Sequence, residues 1–334
     1  MKRIGHLIDK IADIENLYEA FYQACRGKQR KKEVLLFRQN FDENIAMLHD
    51  QILSGNVCVG NYHYFTIHDP KERVICAADF NERVLHHAII NVCMPFFDRS
   101  LIETTYATRK GKGVYAAIDK AISAFAKYQY SLKLDFRKYY DSIDHKILKS
   151  LLRKKFKDNT LLQIFDKIID SYSVSSGKGL PIGNLTSQYF ANAYLSPLDH
   201  CVKEQLKAPI YIRYMDDILI TCNDKSQLKD IYVSLNKYAD EELNISLKPP
   251  IFRETRDGQI FLGYKIKPYR CELSGRSKKR YRQKLIDYNN KLESGEWNDQ
   301  TYHEHILPLT AFVRHAVSKK FRQSCVEIIK RVES

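Results

Sequence analysis

Between residues 209 and 221 the chain reads PIYIRYMDDILIT, with apolar and β-branched side chains running up to Asp216 and Asp217 and away from them again. That pattern predicts a β-hairpin with both carboxylates at its tip. Upstream, Tyr130, Leu132 and Leu134 alternate with Ser131, Lys133 and Asp135. Alternation of this kind predicts a strand with Asp135 on its polar face, where the strand ends. Helical spacing of Leu7, Ile11, Ile14, Leu17 and Phe21 predicts one helix over 7–24, stopped near Gly27, and a second helix is expected over about 36–53, ending at Gly55. The intervening RGKQRKK reads as a basic loop. Residues 62–78 predict two short strands around the turn Asp69-Pro70-Lys71-Glu72, followed by a helix over about 81–98.

Farther on, 142–156 has a capping signal and an amphipathic period, which predicts a scaffold helix; 184–206 predicts a helix interrupted at Pro197. The run 234–248 reads as helix then strand, and FLGYKI (261–266) as a further strand. Together these elements predict an α+β fold in which one antiparallel sheet over 131–266 carries helices on one face, followed by a small helical region.

Three carboxylates, one at a strand end and two at a hairpin tip, suit a hard cation such as magnesium, which takes a few carboxylate oxygens along with substrate phosphates. Asp-Asp pairs also occur in ordinary surface turns. The strands flanking this pair on both sides favour the metal site.

Charge agrees with a polyanionic partner. The 334 residues hold 54 Lys and Arg against 40 Asp and Glu, a net charge of +14. Residues 265–284 concentrate nine basic side chains around the single acid Glu272. Eight cysteines contain no C-x-x-C pair, which argues against a zinc ribbon or disulfide framework. No run of about eighteen apolar residues would span a bilayer and no signal peptide opens the chain, so a cytoplasmic location with no membrane partner is expected. At 334 residues the chain is expected to bury two or three subdomain cores.

Asp135 with the aromatic Tyr140 five residues on, and Tyr214-Met215-Asp216-Asp217, resemble the two acidic motifs of reverse transcriptases. Between them, GKGLPIGNLTSQYFANAYLSPLD (177–199) resembles the template-and-nucleotide loop of that family. Where intron and retroviral relatives have Pro-Gln-Gly and Ser-Pro, this chain has Pro181-Ile182-Gly183 and Ser187-Gln188. The form Ile-Gly-x-x-x-Ser-Gln is similar to that of reverse transcriptases from diversity-generating retroelements. DPKERVICAADFNERVLHHAI (69–89), TYATRKGKG (105–113) and FLGYKI follow in the order that family shows.

The resemblance implies a right-hand polymerase: a helical N-terminal extension (1–55), fingers (56–130), a palm (131–270, with a fingers segment at about 145–180) and a helical thumb (271–334). It implies RNA-directed DNA synthesis by two-metal nucleotidyl transfer, with two Mg²⁺ ions, replaceable by Mn²⁺, held by Asp135, Asp216, Asp217 and the carbonyl of Phe136. Arg73, Arg109, Lys112, Tyr140, Ile182, Gly183 and Gln188 would contact the nucleotide, with Tyr140 crowding the sugar 2′-carbon. Tyr214, Met215, Phe261, Leu262, Gly263, Tyr264, Lys278, Lys279 and Arg280 would contact primer and template. Lys248 is a candidate proton donor to pyrophosphate. Implied partners are dNTPs, a structured template RNA with its cDNA, and a small basic helical accessory variability protein, usually a pentamer. Expected biology is adenine-mutagenised cDNA for diversifying a target gene. A retron, intron-like or phage-defence enzyme, or a non-catalytic RNA-binding relative, stays open.

Overall fold

The computed structural model describes residues 3–68 and 72–332, with side chains described as far as 326. The expected turn at Asp69, Pro70 and Lys71 therefore lies outside the described residues.

Each of the two expected N-terminal helices is split. The first becomes α1 (Ile8–Ala12) and α2 (Ile14–Cys25) because Asp13 leaves the helical conformation and its side chain accepts the N–H groups of Glu15 and Asn16 at 3.0 and 3.2 Å. An aspartate capping a new helix competes with continuation of the old one. The second becomes α3 (Lys32–Gln39) and α4 (Phe41–Ser54), parted at Asn40, with Gly55 ending α4 as expected. A hairpin of β1 (Tyr62–Ile67) and β2 (Arg73–Ala78) precedes α5 (Phe80–Arg99), then α6 (Val114–Lys127) and β3 (Tyr130–Leu134). After the short α7 (Tyr139–Ser142) come α8 (His145–Lys155) and α9 (Asn159–Asp170), capped by the side chains of Asp144 and Asp158. The expected interruption falls at Leu195 rather than Pro197, which sits in the first turn of α11, and it separates α10 (Leu185–Tyr194) from α11 (Ser196–His200).

Then come β4 (Ile210–Tyr214), β5 (Asp217–Cys222) and α12 (Lys225–Glu241). The strand expected by residue 248 does not form: residues 242–248 are described, and there Leu247 makes only an isolated bridge to Phe136. The chain continues as β6 (Ile251–Glu254), β7 (Gln259–Phe261), β8 (Tyr264–Lys267) and β9 (Arg270–Leu273). Three helices complete it, α13 (Gly275–Glu293), α14 (Asp299–Arg314) and α15 (Lys319–Val332).

The α+β class is as expected, but the single sheet is not. β4, β5, β3 and β6 form one antiparallel sheet in that order, while β7, β8 and β9 form another. The tight Leu262-Gly263 turn pairs β7 with β8 and closes the second sheet on itself.

Two units divide the chain, and each gathers separated stretches. One comprises the residues up to Glu103 with Phe136–Gln205 and Leu235–Leu247; the other comprises Thr104–Asp135, Leu206–Ser234 and everything from Lys248. In the first, the rings of Phe21 and Phe37 lie 5.2 Å apart, and Phe165 packs against Phe156 and Phe190 at 5.4 and 5.3 Å. In the second, α6 buries Ile118, Ala121 and Phe125 with Ile212 and Leu219 of the four-stranded sheet and Tyr264 and Ile266 of the three-stranded one. This core ties the acidic hairpin to the helices that end the chain.

Candidate active site

β4 and β5 pair up to Tyr214 opposite Asp217, which leaves Met215 and Asp216 as the whole turn. Met215 takes a left-handed backbone, φ 52°. β3 pairs with β5 up to Leu134 opposite Ile218, so continuing the register by one step sets Asp135 opposite Asp217. Like charges directly opposite one another on a sheet are unfavourable. Here two lysines offset them: Lys133 Nζ lies 3.2 Å from Asp217 Oδ1, and Lys248 Nζ lies 2.5 Å from Asp135 Oδ2. The Lys248 N–H also donates to the Asp135 carbonyl at 2.8 Å, fixing both ends of that contact.

Among the described residues Asp216 has no such ion-pair partner. Burial, and then the charges of Asp217 and Asp135, push its carboxyl up to about 6, with Lys248 opposing in part. The turn is braced from below by Arg213, whose fully buried guanidinium donates to the Met215 carbonyl at 2.9 Å. The Arg213 backbone bonds Thr104 and Tyr106 on its other side.

This donor set suits a divalent cation chemically, since it offers hard oxygens and an excess of negative charge with one carboxylate left uncompensated. Among the described residues, however, no three His, Cys, Asp or Glu side chains are gathered closely enough to hold an ion together. Two of the three carboxylates are engaged by ammonium groups, with which a cation would compete.

The remaining expected contacts of this unit fall into two groups. Arg109 folds back onto its own loop, donating to the Thr105 carbonyl and hydroxyl at 3.1 and 2.9 Å, and Lys112 Nζ sits 5.4 Å from the centre of the Tyr106 ring. Phe261 and Tyr264 are fully buried, so neither ring presents a surface. The turn between them, Leu262-Gly263, is half-buried, with Leu262 packed against the core. Gly263, at φ 87°, takes a backbone that other residues adopt only with strain, and a methyl group there would lie 3.1 Å from both Phe312 Cζ and Ser277 Oγ. Its carbonyl accepts from Ser277 Oγ at 2.6 Å and from Ser274 N at 3.2 Å, anchoring the turn to the start of α13. On that helix Lys278 and Lys279 are exposed, while Arg280 lies over the Phe312 ring.

The other unit brings a second set together. The Ile182 carbonyl accepts from Cys76 N at 2.7 Å, and the Tyr140 carbonyl accepts from Leu180 N at 2.9 Å, so the β2 strand, the 181–183 loop and Tyr140 meet. Gly183, at φ 126°, is required: a methyl group would lie 2.9 Å from Ile75 Cγ2 and 3.1 Å from the Cys76 carbonyl oxygen. Tyr139 is a core residue that donates to the Ala191 carbonyl at 2.5 Å, and Tyr140 beside it is only half-buried. Phe136 is buried with its ring 5.5 Å from that of Tyr139. Arg73 and Gln188 are exposed.

Sequence reasoning missed Lys133 and Arg213. Both sit in strands that lead directly to an acidic motif, and that position was the available signal.

A model of the family described as reverse transcriptase (RNA-dependent DNA polymerase) matches residues 68–266, more than half of the chain. The chain belongs to the reverse transcriptase family. Among curated relatives of the chain, Protein YkfC of Escherichia coli is 20% identical over 269 residues, covering 66% of this chain and 71% of that protein. The putative COX1/OXI3 intron 2 protein of Saccharomyces cerevisiae is 19% identical over 287 residues, covering 65% of this chain and 32% of that protein. The chain thus spans about a third of the intron protein's length. Among solved structures, telomerase of Candida tropicalis in complex with a fragment of telomeric RNA aligns with a TM-score of 0.49 at 13% identity, covering 87% of this chain and 58% of that one.

Proposed function

We propose that the chain is an RNA-directed DNA polymerase in which Asp135, Asp216 and Asp217 hold two Mg²⁺ ions for nucleotidyl transfer. The observation that carries this reading is Asp216: a half-buried carboxylate beside two others, with its ionisation pushed up, on a turn braced by Arg213, in a chain of the reverse transcriptase family. Magnesium bound there supplies Lewis acidity, which lowers the pKa of a primer 3′-hydroxyl and stabilises the pyrophosphate leaving group. The protein's own part is to fix the acceptors. Arg213 holds the turn, the paired strands set Asp135 against Asp217, and Lys133 and Lys248 neutralise them until a cation arrives. Tyr140 shapes the sugar site and Gly183 lets the backbone approach the nascent pair. In this reading residues 56–130 are fingers, 131–270 palm and 271–334 thumb.

The finer reading is a diversity-generating retroelement enzyme, supported by Ile182-Gly183 and Ser187-Gln188. Ile182 offers an apolar contact where relatives offer a hydrogen-bonding amide, and an apolar contact constrains geometry less directionally. A structured template RNA and a small basic accessory protein belong to the same reading. Similarity to an intron-encoded protein favours a second one, an intron-type enzyme of ordinary fidelity. Deep sequencing of cDNA made on one defined RNA separates them. The first reading expects errors concentrated opposite template adenine and reduced there by Ile182→Gln; low, equal error at all four bases selects the second.

A further inference from the structure

The helix α8 has a buried inner face, with Leu148 and Leu152 in the core, and an outer face of different chemistry. Lys146, Lys149, Ser150, Arg153 and Lys154 line an open depression of about 680 Å³ together with Arg3. These side chains recur every three or four residues, which sets them about 5–6 Å apart along one face of the helix. That is close to the separation of successive phosphates along a nucleic-acid strand.

The surrounding acids are too few to neutralise this face. Lys149 Nζ lies 2.6 Å from Asp170, which is itself 56% exposed, and Arg153 pairs with Asp166. Surface pairs of this kind contribute little and exchange readily for another anion. Arg3, Lys146 and Lys154 have no acidic partner among the described residues. Arg153 and Lys154 complement the carbonyl end of the helix, which would account for them as ordinary surface charges. Lys146 cannot be explained that way, because it sits in the first turn, where the helix end disfavours a cation.

The lining also lacks any aromatic or aliphatic anchor of the kind that carries protein–protein affinity. What it offers is ammonium groups, one guanidinium in an exchangeable pair, one free guanidinium and a hydroxyl, the donors that contact a phosphate backbone.

We propose that the outer face of α8, with Arg3, is an RNA-anchoring site that holds the phosphate backbone without reading sequence. The choice of RNA as the polyanion rests on the polymerase reading; the existence of an anion-binding face does not.

The test uses the full chain and a labelled RNA stem-loop, with affinity measured by anisotropy from about 50 to 200 mM KCl. Arg3→Gln, Lys146→Gln and Lys154→Gln are combined in one variant, which breaks none of the ion pairs. The expected result is a log–log salt slope shallower by about 2 to 3 and an affinity about ten- to a hundredfold weaker at the upper salt concentration. A control variant combining Lys225→Gln, Lys229→Gln and Lys237→Gln on α12 should change the slope by less than about 1. Equal losses in both variants would mean net charge alone and would overturn the site. An unchanged slope in the first variant overturns it too, including the case where that variant loses affinity only for poly-glutamate, which would make the face a protein contact. Primer extension by wild type on the same preparation tests the polymerase reading separately, since absent synthesis would leave the comparison of salt slopes intact.

Discussion

Asp144, at the start of α8, and Asp216, at the tip of the β4–β5 hairpin, are the same side chain in opposite surroundings. Asp144 Oδ1 accepts the N–H groups of Lys146 and Ile147 at 2.9 and 3.2 Å, and its Oδ2 accepts from Asn244 at 3.3 Å. Its negative charge also faces the positive end of a helix. Asp216 is half-buried next to two more carboxylates, and partial loss of solvent together with their charges holds it away from its ordinary ionisation. The first arrangement lowers the free energy of the fold. The second raises it, and groups with strongly displaced pKa values gather at functional sites for that reason.

Substitutions should separate the two kinds of aspartate. The largest effect is expected at the acidic site: Asp135→Asn should lower cDNA synthesis by at least about a hundredfold, because it removes a proposed cation ligand, while RNA affinity stays within about twofold. Primer extension and anisotropy on one preparation measure both, and near wild-type synthesis would return Asp135 to the role of an ordinary strand-end charge. A smaller effect is expected at the proposed sugar site. Tyr140→Val should narrow discrimination against ribonucleotides by about tenfold or more, read by primer extension with ribonucleotides. Unchanged discrimination in an active variant would make Tyr140 a packing residue like its neighbour Tyr139. The smallest effect belongs to the structural aspartate, since Asp144→Ala should cost about 1 kcal/mol of stability, a shift of a few degrees in melting temperature, and leave synthesis below the melting point intact. Loss of synthesis there without loss of stability would erase the distinction.

Much of this contrast was legible in the chain. Asp216 and Asp217 lie between two β-branched runs, and Asp135 follows an alternating strand, so their placement needs only local pattern. The same holds for β1, β2 and α8, whose boundaries fall where turn and capping residues put them. What local pattern could not supply was partnership. The register that sets Asp135 against Asp217 is a contact between distant parts of the chain, and so are the lysines that offset it. For the same reason β7 and β8 could not be told from members of the first sheet. Other misses did carry a local signal. Asp13 caps α2 and splits the expected first helix, and Asp158 precedes the apolar period of Leu161, Leu162, Phe165 and Ile169 that forms α9. The expected strand after α12 fails because Leu247 finds only one bridge.

Thermal melting with and without Mg²⁺, at pH 5 and at pH 8, tests the acidic site most directly. With a folded value of about 6 for Asp216, above the ordinary carboxylate value of 3.8, this group favours the fold when protonated, and that contribution is lost as pH rises through 6. At pH 8 Asp216 is ionised and Mg²⁺ should raise the melting temperature; at pH 5 a proton must leave Asp216 first, and the rise should be much smaller. Asp216→Asn should melt higher than wild type at pH 8 without Mg²⁺ and should lose most of the Mg²⁺-dependent rise. An equal Mg²⁺ effect at both pH values, retained in Asp216→Asn, would contradict a metal site built on Asp135, Asp216 and Asp217.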